Sequence, residues 1–476
     1  MPSFIDCHSH FAAVANSFLQ LSLKNCTNIE EIQNQLLKFK NENKIPSGNW
    51  IIANGYDNNR LTDKRHITKN EIDKVLPDNP VVIKNQSEHN GIMNSLALQK
   101  LNITENTKAP EGGKIEKINN EPTGYLEENA FIDNIKKVPM PSIKEFKDAF
   151  KKAEKKYASY GITTVQEGFM TKELLEIYKE IFNKNELKLD FVAYVDKNII
   201  DEVETAFLEN IREYKNNLRI GGIKIFLDGS PQARTAWMRE PYLLENYNGE
   251  GKKEDISYCG YGTMSDAEVK EAIDLAGDKK MQILVHCNGD RAAQQYIDAV
   301  KNMTEQIQEV RPVLIHGQLI GLDQLDEIKK LGIIPSYFIS HVFYWGDVHI
   351  KNFGIKRAEN ISPAKSTLDK KIIFTFHQDS PVIEPNMLET IWCAVNRQTK
   401  DGITLGEKEK IDVLDAIKAV TINAAYQYFE ENEKGSIKEG KIADLIILDE
   451  NPFEAKEIKN IRVHETIKNG ETIYRA

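Results

Sequence analysis

The chain has 476 residues, 41% of them hydrophobic and 28% charged, which is more than one compact core usually takes and predicts a large domain with an insertion or a smaller companion. Its net charge of -10 is spread over interspersed acids and bases, a pattern that excludes a nucleic-acid partner and an anionic membrane surface. No run approaches the ~18 consecutive apolar residues of a membrane span, and no charged stretch followed by an apolar one opens the chain, so a cytoplasmic protein is expected.

Residues 4–6 read as a short apolar strand that runs into Cys7-His8-Ser9-His10. Side chains two apart on a strand share a face, so His8 and His10 can present two imidazoles to one metal ion. Residues 28–39, with Ile29, Ile32, Leu36 and Leu37, have the period of an amphipathic helix. Strands are expected at 50–55 and 80–84, and residues 109–122 read as an exposed loop or hairpin. From residue 143 helices alternate with short apolar runs. Helices are expected at 143–159 and 172–182, and strands at 161–166, 189–194, 222–226, 281–285, 312–315, 333–337 and 372–376. With residues 4–6 this makes eight strands in a βα rhythm, which predicts an α/β fold, a (β/α)8 TIM-type barrel with its functional residues at the C-terminal strand ends. His286 and His316 each close one of these runs, and Asp379 follows the last. Residues 434–476 read as a small β layer.

No Gly-x-Gly-x-x-Gly follows a strand, and Gly435 to Lys441 fails as a phosphate loop because Ile442 stands where Ser or Thr is required. The five cysteines are scattered without a Cys-x-x-Cys pair, which predicts free thiols, with Cys7 and Cys287 in the core.

Further motifs follow in order: Gly161-Ile162-Thr163-Thr164-Val165, Lys224-Ile225-Phe226-Leu227-Asp228-Gly229-Ser230 with Arg234-Thr235-Ala236, His286-Cys287-Asn288-Gly289-Asp290-Arg291-Ala292, His316-Gly317-Gln318, Asp379-Ser380-Pro381-Val382 and the stretch 435–444. Together with Phe4 to His10 this ordered set resembles the metal-dependent amidohydrolase superfamily, in particular the amidohydrolase family 3 branch that includes N-substituted formamide deformylase-like proteins. The resemblance implies metal ligands His8 and His10 from strand one, Lys224 from strand four, His286 and His316 from strands five and six, and Asp379 from strand eight. It implies that residues 1–10 hold strand one, that 11–142 are an insertion over the barrel mouth, and that 143–433 complete the barrel. Residues 434–476 then form a small C-terminal β domain. The resemblance implies that the N-terminal part of that domain is missing, so exposed sheet edges are expected. Two departures from the family pattern are Ile315 before His316, in place of Glu, and His377-Gln378 before Asp379, in place of Gly-Ser.

Imidazole and carboxylate donors suit one or two divalent ions, zinc first, with manganese or iron as alternatives. Burial lowers a lysine's pKa and frees its amine to take up carbon dioxide, so Lys224 is expected to carry a carbamate bridging two metals; the competing arrangement is an ion pair with Asp228. The expected reaction is hydrolysis of a non-peptide carbon-nitrogen bond of an amide, formamide or cyclic amide by metal-activated hydroxide, with Asp379 as general base and then acid. A mononuclear deaminase, a phosphoester hydrolase, or a degenerate non-catalytic binding subunit would share the scaffold. His89, Asp228, Arg234, Asn288, Arg291 and Gln318 are candidate contacts to a small-molecule substrate, although Asp290 and Arg291 equally suit the opening of a helix. His66, His341, His349 and His464 read as packing or surface residues, with His341 and Trp345 placed after strand seven where they could line the pocket. A homo-oligomer is compatible with the sequence.

Overall fold

Eight parallel strands pair in strictly sequential order: β1 (Phe4–Ile5), β2 (Ile162–Met170), β3 (Asp190–Asp196), β4 (Leu218–Phe226), β5 (Gln282–Cys287), β6 (Val313–His316), β7 (Ile334–Tyr337) and β8 (Thr375–Phe376). This computed structural model describes residues 1–58, 60–85, 90–110, 113–139, 141–243, 257–301 and 309–476. The sheet curls in the TIM-type order expected of the βα rhythm, and each predicted strand is present. Just past the two end strands, Asp379 N donates to His8 O (3.2 Å) and His10 N to Ser380 O (2.8 Å), which brings the C-terminal ends of β8 and β1 together. The register sets Phe226 opposite His286, Cys287 opposite His316 and His316 opposite Tyr337, so the polar residues converge at one end.

The strand interior is apolar because inward positions carry Ile5, Val192, Tyr194, Leu284, Val313, Ile315 and Ile334, with the buried thiol of Cys7 among them. Ala424, Ala425 and Tyr428, in and just after the helix Ile422–Gln427, pack on this cluster. Gln427 accepts from Thr375 Oγ1 through Oε1 (2.8 Å) and from Gln282 Nε2 through its carbonyl (3.0 Å). Thr375 and Gln282 each open their strand, so this helix closes the end opposite the histidines.

The C-terminal layer is the antiparallel sheet β9 (Leu445–Leu448), β10 (Val463–Lys468) and β11 (Glu471–Arg475). Asn469 (φ 52°) and Gly470 (φ 80°) make the tight turn between β10 and β11, where an Asn-Gly pair accepts left-handed backbone. The edge of β9 expected to lie exposed is paired: Met1 N donates to Ile446 O (2.9 Å), Ile446 N to Met1 O (3.0 Å) and Ser3 N to Asp444 O (3.0 Å). Lys468 of β10 joins the layer to the barrel through Asp190 Oδ2 (2.8 Å), which also binds Lys434 (2.6 Å).

By contact density the chain divides into residues 1–14 with 150–476 and residues 15–149. The second unit holds a mixed sheet in the order Leu21–Ser22, Ile51–Tyr56, Val81–Asn85, Asn90–Met93, Glu121–Glu128, Gly113–Ile118. Its helix Ile29–Glu42 starts where the Asn28 side chain accepts from Glu31 N, and it buries Ile29, Ile32 and Leu36 as their spacing predicts. The 109–122 stretch contains a hairpin turn, with Asn119 (φ 50°) and Asn120 (φ 68°) at its tip. No helix among the described residues is long and apolar enough to cross a membrane.

Burial pushes the Asp190 carboxyl up, but Lys434 and Lys468 together hold it below the usual carboxylate range. A depressed carboxyl contributes stability above its unfolded value near ~3.9, and that contribution is lost as pH falls through the folded value. Asp190→Ala leaves two ammonium groups buried without this partner and is expected to destabilise the protein by about 3 kcal/mol, read as a lower denaturation midpoint at pH 7. The difference from the unmodified protein should shrink below about pH 4.

Candidate metal centre

The strand geometry expected for His8 and His10 is not what brings them together. β1 ends at Ile5, because the Asp6 carboxylate accepts from His8 N (3.3 Å) and from the Ser9 hydroxyl and so turns the chain. His8 and His10 then face each other edge to face, with ring centroids 5.2 Å apart. A Cβ at Gly168 would lie 2.7 Å from His8 Cε1 and 2.8 Å from Ser9 O, so only glycine lets β2 approach this turn.

The hydrogen-bond network fixes the tautomer of His8. Gln166 directs its amide nitrogen to Cys7 O (2.7 Å), an obligate acceptor, and to Tyr428 Oη (2.7 Å). Tyr428 spends its own proton on Asp6 O (2.7 Å). Gln166 Oε1 is therefore left to accept from His8 Nδ1 (2.6 Å), which turns the Nε2 lone pair inward.

Donor atoms of His8, His10 and Asp379 lie within 4.8 Å of one another. The Nε2 atoms of His8 and His10 are 3.5 and 3.3 Å from Asp379 Oδ1, and His316 Nε2 is 4.0 Å from Asp379 Oδ2. Asp379 Oδ1 is buried without a well-aligned hydrogen-bond donor among the described residues, the condition of an atom placed to bind a cation. Burial pushes this carboxyl up, yet the facing imidazoles of His10, His8 and His316 hold it well below the usual range. Two nitrogen ligands and a carboxylate are the chemistry of a zinc, manganese or iron site, so the residues fit the group. His316 (φ 75°) and Asp379 (φ 54°) both occupy the left-handed region, a strain of about 1–2 kcal/mol each that is retained at these two positions.

Lys224 is buried, and its Nζ lies 3.3 Å from His8 Nε2. Burial lowers its ammonium to about 7. The expected alternative partner, Asp228, is engaged elsewhere. Its carboxylate accepts from Trp237 N (3.0 Å), Asn288 N (2.9 Å) and Gly289 N (2.8 Å), because the loops after β4 and β5 meet over it. His286 stands one ring further out, 4.4 Å from His316 by centroids, with Nε2 near Gly229 O (3.2 Å) and Asn288 Nδ2 (3.1 Å).

The remaining candidates are dispersed. Arg234 bonds Asn352 Oδ1 (3.2 Å) and Leu243 O, and Arg291 lies over the Trp237 ring at 4.7 Å. Gln318 is buried, donates Nε2 to Phe338 O (3.1 Å) and accepts from the Ser362 hydroxyl at Oε1 (2.8 Å). His89 lies outside the described residues. His341 bonds His349 (3.2 Å) and packs on Trp345 and Phe338. Cys7 and Cys287 are buried, and burial pushes both thiols up.

Three residues not singled out from the sequence support the centre. Gln166 orients His8. Glu167, buried beside it, lies 4.0 Å from His10 Nδ1 while accepting from Ala12 N (2.8 Å) and the Tyr178 hydroxyl (2.8 Å). His377 links His316 Nδ1 (3.2 Å) to Ser336 Oγ (2.9 Å). Their signal in sequence is weak: two polar residues that end an apolar run, and a histidine noticed only as a departure from a family pattern.

A family model described as "Amidohydrolase family" matches residues 1–474. The chain is 28% identical to amidohydrolase YtcJ of Bacillus subtilis (strain 168), an alignment covering 99% of this chain and 88% of that protein. It is 26% identical to the N-substituted formamide deformylase of Arthrobacter pascens, covering 99% and 87%. An uncharacterized metal-dependent hydrolase from Pyrococcus furiosus has the same fold, with a TM-score of 0.77 and 25% identity over 95% of this chain and 88% of that one.

Gln166→Leu removes the acceptor at His8 Nδ1 while keeping the side-chain volume. Affinity for added zinc, titrated against a competing chelator, is expected to fall by about 10–100-fold while the far-ultraviolet circular dichroism spectrum stays unchanged.

Proposed function

This chain belongs to the amidohydrolase family, and from that membership we propose that it hydrolyses a non-peptide carbon-nitrogen bond of a small amide, formamide or cyclic amide at a divalent metal centre. The observation that carries the reading is the convergence of His8, His10 and Asp379 around a carboxylate oxygen without a well-aligned donor among the described residues. In the proposed site His316 and His286 would complete the donor set, Lys224 as a carbamate would add an anionic oxygen donor able to hold a second ion, and zinc is the first choice of metal. A bound ion of this kind supplies Lewis acidity, which polarises a carbonyl and acidifies water. The formamide class is suggested by the name of the Arthrobacter pascens relative.

Asp379 carries the proton chemistry. The facing His10 holds its carboxyl well below the usual range, so it is ionised and can accept a proton from attacking water at Oδ1. The same carboxyl can return that proton to the leaving nitrogen, which an amide requires before its carbon-nitrogen bond breaks. His10 and Asp379 are partly exposed, at 28% and 15% of their side-chain surface, whereas His8 is at 1%. A substrate therefore meets Asp379 and His10, and His8 is held behind them. Lys224 has a substantial neutral fraction near pH 7, with a nucleophilic amine and no carboxylate partner among the described residues, which supports carbamate formation.

Elemental analysis of protein purified without chelator is expected to give about two equivalents of zinc, manganese or iron per chain. Lys224→Met should reduce this to one or fewer, and the intact mass of the unmodified protein under native conditions should exceed the sequence mass by one carbon dioxide. A folded protein that takes up no metal when metal is supplied defeats the reading. Asp379→Asn is expected to lower amine release from an N-substituted formamide by about 10²–10⁴-fold. Turnover unchanged in that variant would assign the proton transfer elsewhere.

A further inference from the structure

Two buried histidines near the metal centre take no part in the proposed reaction. His341 opens the helix His341–Phe353 just after β7, at the end of the barrel where the metal ligands converge. His341, Trp345, His349 and Phe353 recur every four residues and so share one stripe of that helix. The His341 ring packs on Trp345 (4.5 Å between centroids) and on His349 (5.4 Å), and His349 packs on Phe353 (6.0 Å). On the side of the metal centre, Phe338 meets His341 (4.6 Å), His377 (5.6 Å) and His316 (6.5 Å). His341 therefore stands one ring beyond the ligands. Burial holds its pKa well below the ordinary value, and the Asp379 carboxylate is near enough to oppose that shift.

The hydrogens of the pair can be placed. Burial keeps both imidazoles neutral. His341 Nδ1 and His349 Nε2 lie 3.2 Å apart, so one of them donates and the other accepts. His349 Nδ1 is sealed from solvent without a partner among the described residues. Were His341 the donor, that sealed nitrogen would carry a hydrogen, and a buried N–H without an acceptor is rarer than a buried lone pair without a donor. His349 therefore donates from Nε2, and His341 carries its own hydrogen on Nε2. This Nε2–H has no partner among the described residues, yet unlike His349 Nδ1 it is not sealed in. One open donor set on an aromatic wall of Phe338 and Trp345 has the composition of a substrate-binding surface.

We propose that His341 selects the substrate, donating Nε2–H to an ether or carbonyl oxygen on its N-substituent while the apolar part of that substituent lies along Trp345. This rests on the amide-hydrolysis reading: the scissile carbonyl belongs to the metal ligands, and the ring of Phe338 sets His341 apart from them for the far end of the substrate. His349 is a positioning residue, because it acts only by fixing which nitrogen of His341 holds the hydrogen.

N-(2-methoxyethyl)formamide and N-butylformamide have substituents of equal length that differ by one oxygen in place of one methylene. Initial rates of amine release by the zinc-loaded full chain compare them. His341→Phe is expected to shift the ratio of the two KM values about fivefold against the ether, the worth of one hydrogen bond, with no such shift in the ratio of kcat values. His341→Gln, which keeps a donor, should restore part of the ratio, and His349→Leu should lower it. A merely structural loss would move both substrates together and leave the ratio in place. If neither formamide releases amine, the hydrolytic reading fails, and isothermal titration of both into the same unreactive protein decides this proposal: a fivefold shift in the ratio of Kd values on His341→Phe sustains it. A ratio unaltered by His341→Phe, or no binding of either formamide, overturns it. Should His341→Phe fail to fold, a ratio that His349→Leu leaves unaltered overturns it instead.

Discussion

Asp6 bends the chain where β1 stops, and the remainder of the centre is arranged around that bend. Its carboxylate receives His8 N and the Ser9 hydroxyl, and Tyr157 donates to Ser9 Oγ (3.0 Å). Its carbonyl receives Tyr428, which receives Gln166, which receives His8 Nδ1. Each link has one allowed direction, because a backbone carbonyl cannot donate and each amide hydrogen is already spent. The sequence of donors therefore reaches from the residue beside the closing helix to the imidazole at the opposite end. An extended strand through residues 6–10 would have kept His8 and His10 on one face, but it would have left Asp6 without these two donors. The turn wins because a buried carboxylate without hydrogen bonds costs several kcal/mol, more than the strand bonds it replaces.

Two of the non-glycine residues with left-handed backbone, His316 and Asp379, carry side chains that the proposed centre uses. Glycine would relieve the left-handed backbone at His316 and Asp379, yet neither position can give up its side chain. Both are held from outside: Asp379 by its bond to His8 O, His316 by the ladder with β5 and by His377. The departure from Gly-Ser before Asp379 thus has a physical consequence. His377 is fully buried and gives His316 a partner through which its outer ring nitrogen is satisfied, with Ser336 behind it.

How much of this was legible in the sequence follows from where the information is local. Short, largely apolar runs of three to six residues marked all eight barrel strands, since strands buried on both faces need little beyond length and turn signals. The polar composition of residues 109–122 reads as an exposed loop or hairpin, and a hairpin turn is what forms, with Asn119-Asn120 providing left-handed backbone. The lengths of β1 and β8 were not readable, because the chain leaves each ladder through side-chain bonds that an apolar pattern does not record. Gln166 and Glu167 illustrate a further limit. Alternation assigns adjacent residues to opposite faces, one of them outward, whereas β2 is buried on both faces, so Gln166 and Glu167 are both buried. Gln318 lies two residues from His316, but the left-handed backbone at His316 and Gly317 intervenes, and its amide meets Phe338 O and Ser362. Proximity in sequence to a candidate ligand is weak evidence of proximity to a substrate once the backbone turns between them.

The two ends of the barrel solve opposite electrostatic problems with the same economy of means. At the histidine end burial keeps His8, His286 and His316 neutral, so their ring nitrogens are available as donors around one ionised carboxylate. At the closed end Arg219, Lys434 and Lys468 are buried as charged groups against Asp190 and Glu430. Neither arrangement is what hydrophobic burial alone would select, since apolar residues of similar volume pack as well without the desolvation penalty. Each end therefore concentrates buried polar groups that are satisfied only in part among the described residues, Asp379 Oδ1 at one and the Glu430 carboxylate at the other. A parallel barrel tolerates both because its middle layer, from Ile5 to Ile334, is apolar and continuous, and it separates the two sets of charges by the length of the strands.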